Sequence, residues 1–233
     1  MMRRMFSRPG PLLSSTAKSN FTTGLLLAAA GSIAFSGKAI IVKLAYRHGV
    51  DAITLVMLRM LFAVPFFIAM AWWAGRGKPA LTRADCLGVL GLGFSGYYLS
   101  SYLDFLGLQY ISASFERLIL YLNPTLVLIL GWVLYKRKIT YRQAVAMAVS
   151  YSGVLLVFGH EISLVGDNVF LGATLVFLSA VTYAIYLSYS GQLVQRLGSL
   201  RLAGLATTVA CFFCILQFVL LKPMSALNVA PEV

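Results

Sequence analysis

Five charged side chains lie inside otherwise apolar stretches of this 233-residue sequence: Lys38, Arg59, Asp104, Glu116 and Arg117. An ion facing lipid costs a few kcal/mol or more, so such residues turn toward a protein interior or water and mark ion or solute pathways. Two of them are carboxylates able to take up and release a proton. Surroundings of low dielectric favour the neutral carboxyl, and Glu116 is the candidate for that role. The plainer use of the same residues is a structural ion-pair network, for example Asp104 with Arg117. Asn123 and Pro124 follow on the stretch that carries Glu116. Pro124 has no N–H to donate, so it interrupts a helix and frees a carbonyl, either as a kink or as part of a solute path.

Other patterns carry no chemistry. Gly91-Leu92-Gly93-Phe94-Ser95-Gly96 matches G-x-G-x-x-G, but it sits inside an apolar run with no strand before it. The phosphate-cradling mechanism is therefore absent, and close packing by small residues explains it. Cys211 and Cys214 form a C-x-x-C with no further Cys or His nearby, which reads as two buried thiols. His48 and His160 fall in loops, and no nucleophile–base or paired-carboxylate arrangement is visible. The expectation is a protein without catalytic residues, metal or cofactor.

The elements that position these residues follow from composition. Apolar types make up 60% of the chain and charged types 11%, against about 25% charged in soluble domains. Mean hydropathy is +0.85. A domain of this size cannot hide so much apolar surface from water, so the chain reads as an all-α integral membrane protein. Apolar runs of the length a bilayer demands, about 20 residues, stand near 22–45, 52–74, 85–108, 113–135, 142–159, 169–190 and 202–221. Short connections make neighbours antiparallel.

Basic residues fix the direction. Arg3, Arg4, Arg8 and Lys18 lie in the tail, Arg76, Lys78 and Arg83 after the second run, Lys136, Arg137, Lys138 and Arg142 after the fourth, and Arg196 and Arg201 after the sixth. The opposite side holds only Arg47 and Lys222, with Glu161 and Asp167 in its last loop. The N-terminus is therefore expected in the cytoplasm and the C-terminus outside. The net charge of +12 is distributed as topology signals between apolar runs, which argues against nucleic acid as a partner. The basic tail precedes a run too long for a cleaved signal and reads as an uncleaved start; an organellar transit peptide is the weaker reading.

An internal repeat is visible. Gly24, Ala28, Ser32 and Ser36 recur every fourth residue; at an offset of 148, Gly172, Val176, Ala180 and Ala184 keep the same register, and Phe35 falls on Tyr183. Small residues in such a ridge let helices approach closely in lipid. The sequence divides into a basic tail at 1–20, a first repeat at 21–159 and a partial second repeat at 169–233.

Taken together these stretches resemble the EamA family of the drug/metabolite transporter superfamily. The resemblance rests on Phe35-Ser36-Gly37-Lys38 through Lys43, Leu58-Arg59, Gly107-Leu108-Gln109-Tyr110-Ile111-Ser112-Ala113-Ser114 and Asn123-Pro124. Tyr151-Ser152-Gly153-Val154-Leu155-Leu156 matches the closing helix of a first repeat, and Glu116-Arg117-Leu118-Ile119-Leu120 is similar to a bacterial subset. It implies a ten-helix protein of two five-helix inverted repeats that moves small metabolites across the cytoplasmic membrane, as an exporter coupled to an ion gradient. Lys38, Arg59, Asp104, Glu116, Arg117, Asn123 and Pro124 are then substrate-path candidates. A mirrored second repeat would run to about residue 306, so the expectation is seven helices here, with eight to ten missing. A second copy or a complementary fragment could supply the missing wall. A truncated relative without transport activity is the alternative. A seven-helix receptor is a weaker one, since the last run lacks an interior Lys and every intramembrane charge falls in the first four.

Overall fold

In hydrocarbon an apolar run must satisfy its own backbone groups, and helices do so within one segment. The computed structural model of the chain describes residues 24–26, 29–33, 35–136, 139–158 and 168–223, and among them the regular elements are all helical. Ala28, the basic tail, Arg137, Lys138 and the loop carrying His160, Glu161 and Asp167 lie outside the described residues. The chain divides into two units, residues 1–38 and 39–233. In the first, the Lys38 ammonium stands 5.2 Å from the centroid of the Phe35 ring, and the Ser36 hydroxyl donates to the Ile33 carbonyl at 2.7 Å. Gly24, Ser32 and Ser36 are exposed.

The elements are α1 (Lys38–Arg47), α2 (Ala52–Gly75), α3 (Arg83–Leu92), a π-helical stretch (Gly93–Leu99), α4 (Ser100–Leu108), α5 (Ala113–Leu120), α6 (Asn123–Tyr135), α7 (Tyr141–Phe158), α8 (Val169–Leu197) and α9 (Ser199–Leu221). The chain is an all-α membrane protein. Among the described residues five helical runs are long and apolar enough to cross a bilayer: Gly24–Arg47, Ala52–Gly75, Ala113–Tyr135, Val169–Leu197 and Ser199–Leu221. Two of the expected runs differ for physical reasons. The run at 85–108 is helical from Arg83 to Leu108 but changes to π geometry midway. The run at 142–159 is α7, whose 18 described residues open on Tyr141-Arg142-Gln143 and span about 27 Å at 1.5 Å per residue.

Caps fix where the helices begin. Asp51 accepts from the Ile53 and Thr54 amides and the Thr54 hydroxyl at the start of α2. Thr82 and Asp85 form a capping box at α3, and the Ser112 hydroxyl accepts from the Phe115 amide at α5. Gly198 alone joins α8 to α9 with φ of +86°, a conformation that a side chain would strain. The resulting hairpin is tied at one end: Arg196 pairs with Asp85 at 3.2 Å, and Arg201 donates to the Pro79 carbonyl at 3.0 Å. At the other end Lys222 pairs with Asp51 at 3.2 Å. Helix α9 thus runs along α2, while α8 packs on α4, α5, α6 and the π-helical stretch.

Glycine sets the closest approaches. A methyl on Gly107 would lie 2.8 Å from the Gly172 carbonyl oxygen, and one on Gly172 would lie 3.0 Å from the Gly107 carbonyl oxygen. Helices α4 and α8 therefore meet backbone to backbone. A buried pair, Ser100 and Ser179, links them about two turns away, with hydroxyls 3.1 Å apart. Gly93 and Gly96 serve the π-helical stretch in the same way: a methyl on Gly93 would meet the Ala206 carbonyl at 2.5 Å, and one on Gly96 would overlap the Tyr186 ring. The G-x-G-x-x-G pattern is a packing surface.

Candidate functional site

The helical run Ala113–Tyr135 is built to be broken. Because Pro124 cannot donate to the Leu120 carbonyl, α5 stops at Leu120 and α6 restarts at Asn123. The Leu122 amide tightens to the Ile119 carbonyl at 3.0 Å, and the regular ladder resumes from Leu126 to Leu122 at 3.0 Å. Tyr151 of α7 props the break, its hydroxyl bonding the Thr125 hydroxyl and donating to the Tyr121 carbonyl. Asn123 stands at the restart with its side-chain oxygen buried and without a hydrogen-bond partner among the described residues. Pro124 itself is exposed. On the short α5, Glu116 is fully buried (0% exposed), and the Arg117 Nε stands 3.3 Å from its carboxylate.

A second charged group joins α2 to α4. Arg59 Nη2 donates to the Ser101 hydroxyl at 3.3 Å, and its guanidinium carbon stands 5.1 Å from the Phe105 ring centroid. The head therefore lies over one turn of α4, between residues four apart. Asp104, only 4% exposed, is the anion within electrostatic reach of that guanidinium. Much of the Arg59 side chain remains exposed, its stem lying along α2 while the charge is drawn to α4. Tyr46 completes the group: its hydroxyl donates to the Phe105 carbonyl at 2.6 Å, which ties the end of α1 to α4 beside Asp104.

Tyr46 also lines an open cavity of about 950 Å³. Helix α1 supplies Lys43 and Arg47, the α1–α2 connection Asp51, and the α4–α5 turn Gln109 and Ser112. Apolar walls come from Ile111, Phe115 and Val169. At its rim, burial pushes the Asp51 carboxyl toward protonation, but the Thr54 and Lys222 bonds outweigh it and hold the group below the ordinary carboxylate range.

The structure thus places the sequence candidates in two groups within residues 39–233, Arg59 with Asp104 and Glu116 with Arg117, the latter on the helix that ends at the Asn123–Pro124 break. Lys38 belongs to the other unit. Gly172, Ala180 and Ala184 are buried on α8. Cys211 and Cys214 are buried thiols, the former 3.7 Å from the Met60 sulfur. Sequence reasoning passed over Tyr46, Ser101 and the Lys43–Arg47 pair. Only the last carried a signal, as two cations four residues apart near a helix end.

Comparison with known proteins identifies the family of the chain. The model of the EamA-like transporter family matches residues 22–159. The chain is 31% identical over 191 residues to the uncharacterized transporter YcbK of Bacillus subtilis (strain 168), covering 80% of this chain and 60% of that protein. It is 27% identical over 124 residues to an uncharacterized transporter of Archaeoglobus fulgidus, covering 53% and 41%. It is 22% identical over 204 residues to the uncharacterized transporter YetK of Bacillus subtilis (strain 168), covering 87% and 60%. The chain spans no more than 60% of the length of these relatives. No solved structure matches it.

Proposed function

We propose that this chain, which belongs to the EamA-like transporter family, moves a small metabolite across the cytoplasmic membrane, as an exporter coupled to an ion gradient. The observation that carries the reading is the cavity whose wall residue Tyr46 is hydrogen-bonded to α4 beside the Arg59–Asp104 group. Solute entering there meets a charged cluster at the junction of α1, α2 and α4. Glu116 is the proposed proton carrier, because a buried carboxylate beside an arginine can exist in two charge states that reposition the short helix α5. In this reading the N-terminus lies in the cytoplasm, which its basic tail supports. The chain acts as a membrane transport component without catalytic residues, metal or cofactor. In inverted-repeat transporters the solute site lies between the repeats; a second copy or a complementary fragment is the proposed source of any wall that these 233 residues do not build.

The test is flux. Purified protein reconstituted in liposomes, screened with amino acids, nucleosides and organic acids under an imposed proton gradient, should give saturable, gradient-dependent transport that Glu116→Gln abolishes. Running the assay at protein-to-lipid ratios that isolate single copies, and again with copies in excess, separates a self-sufficient transporter from one that needs a partner. Flux that is unsaturable and indifferent to the gradient in both would overturn the transport reading.

A further inference from the structure

Among the described residues, the cavity at the α1–α2 end is lined by two cations and one acid. Lys43 and Arg47 line it from one face of α1, four residues apart and within electrostatic reach of each other. Like charges at that spacing repel on a helix. A favourable helix dipole accounts for Arg47 in the last turn of α1, but not for Lys43 a turn earlier. Among the described residues the one acid of the lining is Asp51, and its carboxylate is already engaged by two backbone amides, the Thr54 hydroxyl and Lys222. Neither Lys43 nor Arg47 pairs with a carboxylate among the described residues. The same lining includes apolar and aromatic side chains, Ile111 and Phe115 among them.

We infer that this cavity is a receptor for a small organic anion, a carboxylate held between Lys43 and Arg47 with an apolar body lying against Ile111 and Phe115. The inference rests on the transport reading for its biological use, since the same cavity is taken there as the entrance of the solute path. Its chemistry is independent of that reading. One carboxylate bound between the two cations offsets one of their charges and relieves their mutual repulsion. Desolvation in a partly enclosed cavity strengthens that pairing relative to water, and the apolar lining favours organic anions over inorganic ions that bring no apolar surface.

The experiment uses the full chain in nanodiscs of phosphatidylcholine, titrated by calorimetry with three probes of matched shape: hydrocinnamate, hydrocinnamamide and phenethylammonium. Hydrocinnamate should bind, and the amide and the ammonium should bind at least roughly tenfold more weakly, the loss expected when a hydrogen bond to a charged group is removed. The double variant Lys43→Gln/Arg47→Gln should lose hydrocinnamate affinity by about tenfold or more while keeping wild-type elution and helical circular dichroism, and Lys43→Arg should retain it. Equal binding of the amide, tighter binding of the ammonium, or no binding of any probe would overturn the assignment. So would loss of hydrocinnamate binding when phosphatidylglycerol replaces part of the lipid, since the anionic group would then be a headgroup. Flux in liposomes separates the two readings. Hydrocinnamate binding without any solute flux leaves this inference standing and removes the transport reading. Flux of cationic or neutral solutes with no carboxylate binding does the reverse.

Discussion

Arg59 and Asp104 show how a charge is tolerated inside an apolar bundle. The guanidinium is not left to lipid: it donates to Ser101, lies over the Phe105 ring and stands within reach of the Asp104 carboxylate. Removing either charge leaves the other less compensated, so the two should be energetically coupled. In detergent, unfolding of Arg59→Gln, Asp104→Asn and the double variant should give a coupling of about 1 kcal/mol; strict additivity would show the pair to be independent. At the rim, Asp51 makes a pH prediction with a definite sign. Its folded carboxyl titrates below the unfolded value, so its contribution is present above about pH 4 and is lost as pH falls through the folded value. Acidification from pH 6 to pH 3 should therefore lower the unfolding midpoint of the wild type more than that of Asp51→Asn. Equal pH profiles for the two would remove the cap and the Lys222 pair from the account.

The helices owe their mutual distances to small residues. Gly107 and Gly172 let α4 and α8 touch through their backbones, whereas Gly91 faces open space. Substituting alanine separates these cases. Gly107→Ala must push two helices apart and should destabilise by about 1–3 kcal/mol. Gly91→Ala, with a methyl that meets nothing, should be neutral or stabilising by up to about 1 kcal/mol. Chemical denaturation of both variants in one detergent checks the contrast, and equal stabilities would mean that the close approach carries no energy. The break between α5 and α6 was legible from Pro124 alone, because a missing N–H is a property of one residue. Its prop, Tyr151, was not, because nothing in a sequence states that a hydroxyl on α7 reaches a carbonyl on another helix.

For the molecule as a whole, five of the described basic residues, Arg76, Lys78, Arg83, Arg196 and Arg201, come from connections that pack together, since Arg196 pairs with Asp85 and Arg201 bonds Pro79. Asp51 and Lys222 mark the opposite end. The basic end should face the cytoplasm. Cys86, the exposed thiol beside Asp85, offers a direct measurement. A membrane-impermeant maleimide should leave it unlabelled in intact cells and label it after lysis, and labelling in intact cells would invert the topology. An externally active reporter fused after residue 233 should likewise be active.

The sequence by itself determined the solvent and the secondary structure. A chain with 60% apolar and 11% charged residues has few classes open to it, and hydrocarbon forces each apolar run into helix. The alternation of basic loops, the Pro124 break and the family resemblance are likewise local or additive properties. Tertiary structure alone decided which charges meet: that Arg59 is held at α4 near Asp104, that Tyr46 bonds the Phe105 carbonyl, and that Lys43 and Arg47 line one cavity with a neutralised Asp51. Depth along a helix can be counted from residue numbers. The facing of one helix toward another depends on its rotation and on contacts such as Gly107 with Gly172, which only the packed bundle supplies.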